Sequence, residues 1–260
     1  MDDLILVERQ GAIATVTLNR PQVRNALNRA LLDAITTTFE QLNRDPAIRC
    51  VVVTGAGPVF CAGGDLKDLF QDTNPIAIRN MLSQRIRPLS KALLTLDKPL
   101  VCALNGAVAG AGLVLPLAAD FVLATPQASF VTAFGKIGAI PDAGVMYLMA
   151  QHLGLLRAKE IVLRARTLPA QEALAIGLYS EVVDAERFAA RTAELAQEYA
   201  SGATLAMVLA KHALRDALRM PLDAFLDLEA ASQGLMHASH DHKEGVQAFL
   251  EKRSPRFTGQ

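Results

Sequence analysis

The chain reads as an α/β protein, a strand-and-helix core followed by a mostly helical module. Three observations predict this. Apolar runs of strand length alternate with helical periodicity as far as Leu153, glycine-rich loops stand at the ends of two of those runs, and residues 154–260 turn mostly helical. No Pro/Gly/Ser-rich linker separates the two parts.

The elements follow in order. "LILVERQ" and "AIATVTLNR" flank Gly11, and the second alternates small or apolar with polar residues, so they form a hairpin. From Asn28 to Leu42, Ala30, Leu31, Ala34, Ile35, Thr38, Phe39 and Leu42 recur at three-and-four spacing, which predicts an amphipathic helix. "IRCVVVTG" is a buried strand, and "GAGPVFCAGGDLKDL" (55–69) begins where it stops. A second round has a long helix through Ile76 to Leu96, the strand "KPLVCALNG", the turn "GAVAGAG" and the helical run "LVLPLAA". The third comprises "DFVLAT", "ASFVTAF" and "IPDAGVMYLM", with a helix from Ala143 to His152. Beyond it come "LLRAKEIVLRA", "PAQEALAIG", a stretch from Ala185 to Arg219, and "LDAFLDLEAASQGLM" to "HKEGVQAFLEKR", all helical.

Composition narrows the function. At 51% hydrophobic residues, 260 residues can bury a core, and 26 Lys plus Arg balance 26 Asp plus Glu, so no net field favours nucleic acid. "MDDLILVERQ" carries acids and no leader-like apolar run, and the other apolar segments are interrupted before spanning length. A soluble protein without a targeting peptide is expected, with no membrane and no nucleic-acid partner. Cys50, Cys61 and Cys102 are too few for a disulfide framework and form no C-x-x-C pair, which fits a reducing cytoplasm. Cys61 lacks a marked histidine partner, so a small buried thiol is expected rather than a nucleophile.

The glycine loops carry the chemistry. Neither matches G-x-G-x-x-G, and "TGAGPVF" lacks the Lys-Ser/Thr of a P-loop, which argues against NAD and ATP. Two loops that each follow a buried strand and open a helix can instead aim unpaired N–H groups at one point, and together they would make an oxyanion hole.

"RPQVRNALN" (20–28), "FCAGGDLK" (60–67), "NGAVAGAG" (105–112), "KIGAIPDAG" (136–144) and "EGVQAFLEKR" (244–253) occur in the order of the crotonase superfamily, which the chain resembles along essentially its whole length. That superfamily holds the enoyl-CoA hydratases and isomerases. The resemblance implies a spiral of ββα units over 1–195 that binds an acyl-CoA, and a C-terminal helical oligomerisation module over 196–260. It implies a homotrimer or dimer of trimers, and a thioester oxygen held by the N–H groups of Gly64 and Ala111. No separate cofactor is implied, since coenzyme A arrives as part of the substrate. Taken alone, Gly64 also reads as a turn residue and Ala111 as a small packing residue.

The resemblance also shows a departure. The two glutamate positions of the hydratases fall on Val114 and Phe134, and neither side chain titrates or holds a water. Asp142 in "IPDAG" resembles the aspartate of certain isomerases of the superfamily, including dienoyl-CoA and ring-epoxide phenylacetyl-CoA types. One carboxylate can lift a proton from one carbon and return it to another. The competing reading makes Asp142 an N-cap for the helix from Ala143. An isomerase that moves a double bond through a thioester enolate is expected first; a hydratase and a non-catalytic acyl-CoA binder are the alternatives.

Arg24 and Lys67 match positions bordering the ADP part of coenzyme A, and Ala62 and Asp65 match the loop against its adenine. Ala26, Gly63, Leu66, Gly110, Val114 and Phe134 complete the expected acyl-CoA contacts. Phe249 and Lys252 resemble C-terminal residues reaching the coenzyme A of an adjacent subunit. His237, His240 and His242 lack structural-zinc spacing and a cysteine partner, so a polar turn between helices is expected there and no metal.

Overall fold

The opening hairpin forms as the alternation requires: β1 (Ile5–Gln10) pairs antiparallel with β2 (Ile13–Leu18), whose Ala14, Val16 and Leu18 are fully buried. The computed structural model describes residues 3–69, 71–72 and 74–260, so Met1 and Asp2 of the acidic N-terminal stretch fall outside it. Helix α1 (Arg29–Arg44) starts at Asn28, whose Oδ1 accepts from the Leu31 N–H at 2.9 Å, a side-chain cap on an otherwise unpaired donor.

β3 (Cys50–Gly55) lies parallel to β2, and its apolar run is explained by burial on both faces. Val51 and Val53 join the main core with Leu31, Ile35 and Phe39 of α1. Cys50 and Val52 face the other way, toward a second apolar cluster.

After the one-turn α2 (Leu66–Leu69) comes the long helical stretch, in three pieces: α3 (Pro75–Met81), a π-helical turn (Leu82–Ile86) and α4 (Arg87–Leu94). β4 (Leu100–Leu104), β5 (Val108–Ala109), α5 (Val114–Ala118), β6 (Phe121–Ala124) and β7 (Ser129–Val131) follow. Next are α6 (Val145–Leu153), α7 (Leu155–Leu163), β8 (Thr167–Pro169), α8 (Ala170–Ala175) and β9 (Glu181–Val182). The six-stranded sheet runs β1-β2-β3-β4-β6-β9, parallel from β2 onward, and β5-β7-β8 form a smaller sheet.

Four differences from the sequence pattern have local causes. β8 and β9 lie in the region read as helical, because strands of three and two residues leave no periodicity to detect. The strand in "ASFVTAF" stops at Val131, and a 3-10 turn (Ala133–Ile137) carries Phe134. The stretch Ala185 to Arg219 is two helices, α9 (Ala185–Ser201) and α10 (Thr204–Ala217), broken at Gly202. The last helix of the third round begins at Val145 rather than Ala143.

Helix α9 lies on the sheet face opposite α1, with Ala196 and Ala200 packed on Cys50, Val52, Val101 and Ala103. The 195/196 division therefore falls inside a helix that belongs to the core. Beyond it, α10, α11 (Leu222–Ala238) and α12 (His240–Leu250) are tied back by polar contacts. Arg49 donates to Thr204 Oγ1 and Phe257 O, both at 2.9 Å, and Lys211 Nζ reaches Asp120 Oδ2 at 2.7 Å. The final residues are clasped by Asp241, whose carboxylate accepts from the Thr258 and Gly259 N–H groups at 2.7 Å each. Among the described residues no helix is long and apolar enough to cross a membrane.

Candidate active site

Two glycine loops meet at the ends of β3 and β4. Between Cys61 and Val108 a single parallel bridge locks them in register: the Cys61 N–H donates to Ala107 O (3.2 Å) and the Ala109 N–H to Cys61 O (2.9 Å). A third segment, 24–27, zips along the other side. There the Ala62 N–H donates to Arg24 O (2.9 Å), the Leu27 N–H to Gly63 O (2.8 Å), and the Asp65 N–H to Leu27 O (2.9 Å).

Gly63 must be glycine for this contact. Its φ is 91°, and a Cβ there would lie 2.8 Å from Ala109 O. The close approach brings Gly64 against Gly110, with the Gly64 nitrogen 3.9 Å from where a Cβ on Gly110 would stand.

Among the described residues neither Gly64 nor Ala111 gives its N–H to a loop or turn carbonyl. Ala111 is the second residue of a 3-10 turn (Gly110–Leu113), where leading N–H groups lack partners within the turn. The helices that follow are short, four residues in α2 and five in α5. The donors therefore act as individual amides, with little macrodipole behind them.

Both loops wall a cavity of about 180 Å³ that also receives Asp142. Ala62, Leu66, Gly110 and Phe134, expected around an acyl-CoA, line it as well. Leu69, Met81, Ile86 and Ile140 complete most of the apolar wall; Met81 and Ile86 lie on the helical stretch after Pro75, which the family resemblance implies along the acyl pocket, while Leu69 and Ile140 were not expected there. Among the described lining residues Asp142 is the only titratable side chain.

Asp142 does not cap a helix. Gly144 occupies the N-cap position of α6 and no side chain accepts there. The chain passes from Asp142 through Ala143 (φ 52°) and Gly144 (φ 78°), two left-handed residues that delay the start of α6 by two residues. Ser90 of α4 pins this bend by donating to Ala143 O at 3.0 Å. Asp142 Oδ1 is buried without a hydrogen-bond partner among the described residues, and burial raises the carboxyl from 3.8 to about 6.

Val114, expected as an acyl-CoA contact, is fully buried at the head of α5 inside the main core, and the cavity is lined by other residues. Asp65 is paired with Arg20 at 3.3 Å, so its charge is already answered. Arg24 (φ 56°) and Lys67 stand exposed beside the zipped loops, and Ala26 O accepts from the Arg20 guanidinium. Phe249, at 82% exposure, sits near Leu205 and Phe257 in a groove of the C-terminal helices, and Lys252 follows α12 with φ 55°. Neither lines this chain's cavity.

Cys61 is buried behind the loops, its Sγ donating to Asn25 O at 3.3 Å, and burial pushes the thiol up to about 12. It is a packing residue. Asn25 itself was not anticipated: fully buried at φ 55°, its Nδ2 donates to Ala56 O (2.9 Å), Val59 O (2.8 Å) and Phe60 O (3.1 Å). The available signal was an asparagine between an Arg-Pro turn and an apolar helix, a residue type that tolerates left-handed backbone. His237 closes α11, and His240 and His242 open α12, where Ser239 Oγ accepts from the His242 N–H at 3.1 Å.

Residues 8–260 match the model of the family described as enoyl-CoA hydratase/isomerase. The chain belongs to that family. This enoyl-CoA hydratase/isomerase family member is 41% identical over 261 residues to a 1,2-epoxyphenylacetyl-CoA isomerase of Escherichia coli, across the whole of both chains. It is 39% identical over 255 residues to a probable enoyl-CoA hydratase of Rhodobacter capsulatus, across 98% of each. The crystal structure of an enoyl-CoA hydratase from Bacillus anthracis matches with a TM-score of 0.93 at 33% identity, over 99% of this chain and 100% of that one. The fold is thus the crotonase fold, with a C-terminal helical region.

Proposed function

We propose that this family member is an acyl-CoA isomerase that shifts a double bond, from the 3-enoyl to the 2-enoyl position or within a related ring, by a single-carboxylate proton transfer. The observation that carries this reading is the pairing of Asp142 with the Gly64 and Ala111 amides around one otherwise apolar cavity. Bound there, the thioester oxygen accepts from the two N–H groups. Ionised Asp142 removes a proton from C2, and the electron pair moves through the carbonyl carbon to that oxygen as a dienolate. The protonated Asp142 then returns the proton to C4, the electrons flow back, and the conjugated 2-enoyl thioester forms with the carboxylate restored.

A carboxyl near pH 6 suits both halves of that cycle, being basic enough to take the proton and acidic enough to give it back. Hydration requires a water held by a second polar group, and Phe134 and buried Val114 offer none. The relative named as an epoxyphenylacetyl-CoA isomerase supports the isomerase side of the family.

Arg24 and Lys67 are proposed for the coenzyme A phosphates, and the exposed apolar residues Leu222, Leu235, Phe249 and Leu250 for a homotrimeric contact through which Phe249 and Lys252 meet the adjacent subunit's coenzyme A. Incubation with 3-enoyl- and 2-enoyl-CoA in heavy water, read by mass and ultraviolet absorption, tests the activity. Conversion to the conjugated 2-enoyl-CoA is expected, with deuterium at C4 to the extent that protonated Asp142 exchanges with solvent before returning its proton; a 3-hydroxyacyl product points to hydration, and binding without turnover to a non-catalytic protein.

A further inference from the structure

The described cavity is small as well as chemically distinct. A dry cavity of about 150 Å³ takes one benzene ring, so about 180 Å³ takes roughly seven carbons at that packing. The bulky residues that line it come from two separate segments. Met81 and Ile86 stand on the helical stretch around the π-turn, and Phe134 stands on the 3-10 turn after β7.

Phe134 is only 8% exposed, and its ring tip lies 4.0 Å from the place a Cβ on Gly110 would take. The ring is therefore wedged beside the very loop that carries Ala111, next to where C2 to C4 of an acyl group must lie if the carbonyl meets the two amides. A flat ring facing Phe134 gains aromatic contact and loses few rotors on binding, whereas a flexible chain of the same carbon count loses more.

We infer that Phe134 is a specificity-determining residue that restricts this site to compact acyl groups, about one six-membered ring on the two-carbon thioester unit, and shuts out long chains. The inference rests on the acyl-CoA reading above and adds the substrate class. Met81 and Ile86 line the same cavity from another segment, so the limit belongs to several side chains rather than to one alone.

The test is calorimetric binding of saturated acyl-CoAs, which cannot isomerise: acetyl-, hexanoyl-, phenylacetyl- and decanoyl-CoA. Phenylacetyl-CoA is expected to bind the unaltered protein at least tenfold more tightly than acetyl- or decanoyl-CoA, with hexanoyl-CoA between. Phe134→Ala should gain at least tenfold for decanoyl-CoA while losing affinity for phenylacetyl-CoA, and Phe134→Leu should fall between. Should Phe134→Ala fail to fold, Met81→Ala enlarges the same cavity from another segment and must show the same gain. Decanoyl-CoA binding the unaltered protein as tightly as phenylacetyl-CoA overturns the inference, as does an unchanged ratio in the widened variants. Because nothing in the panel can react, these outcomes are independent of whether the isomerase activity is found.

Discussion

Asp142→Asn tests through stability whether this carboxyl is desolvated in the fold, and through turnover whether it is the base. In the folded protein the carboxyl titrates at about 6 against 3.8 ordinarily, because burial disfavours its charge. Between those values the folded state keeps a proton that the unfolded chain has released. The stability contribution is thus complete below pH 3.8 and is lost as pH rises through 6. At about 1.4 kcal/mol for each pH unit separating the folded and unfolded titrations, the ionised group costs the fold about 2 to 3 kcal/mol at pH 8 relative to pH 4. Asparagine never ionises, so the variant should gain on the parent by that amount across this range, measured by urea unfolding at both pH values. Subtracting the two cancels any fixed effect of the amide. In parallel, kcat/KM of the parent should rise tenfold per pH unit below 6 and level above it, while the variant loses nearly all turnover. A stability difference independent of pH would falsify the claim that Oδ1 sits desolvated in the cavity wall.

Other consequences are equally accessible. Asn25→Ala removes the donor to three carbonyls and places alanine at φ 55°, so a loss of about 2 to 4 kcal/mol in urea unfolding is expected, together with a lower kcat as Gly64 loses its support. A Cβ on Gly112 would meet Cys61 Sγ at 2.6 Å, so Gly112→Ala should lower the melting temperature and Cys61→Ala should partly restore it; Gly63→Ala, which meets a backbone oxygen, should find no such rescue. All three thiols are buried, and a thiol-specific reagent should label none of them at pH 8 until denaturant is added. Asp241→Asn weakens the clasp on residues 258–259, which should show as faster carboxypeptidase trimming with the core melting temperature little changed.

The order of strands, loops and helices was legible because each long element leaves a period, and α1 with its Asn28 cap is the clearest case. The pairing of Gly64 and Ala111 across two loops was legible only from the joint order of five motifs. A glycine-rich turn by itself says nothing about which other loop it faces. Asp142 shows where local rules stop: an acid ahead of a helix satisfies the capping pattern, yet the left-handed Ala143 and Gly144 move the helix start beyond its reach. Val114 is a position matched by motif whose burial in the main core leaves no local signature in the sequence. Asn25 and the Arg20–Asp65 pair were invisible because they join segments some 30 to 45 residues apart, and only the folded chain brings such partners together.

The π-turn at Leu82–Ile86 acts as a phase correction. Five steps along an ordinary α-helix rotate by about 500°, leaving residues five apart about 140° away from each other. Met81 and Ile86 are five apart and both line the cavity, because the wider turn, closed by Arg87 N–H to Leu82 O, absorbs the surplus residue. Rewinding the stretch as continuous α-helix with every residue kept would swing one of the two side chains out of the wall, whereas deleting one residue between them would leave them four apart and on one face. The inner dimension of the chamber is thus recorded in the winding of a helix as much as in the identity of the residues that face it.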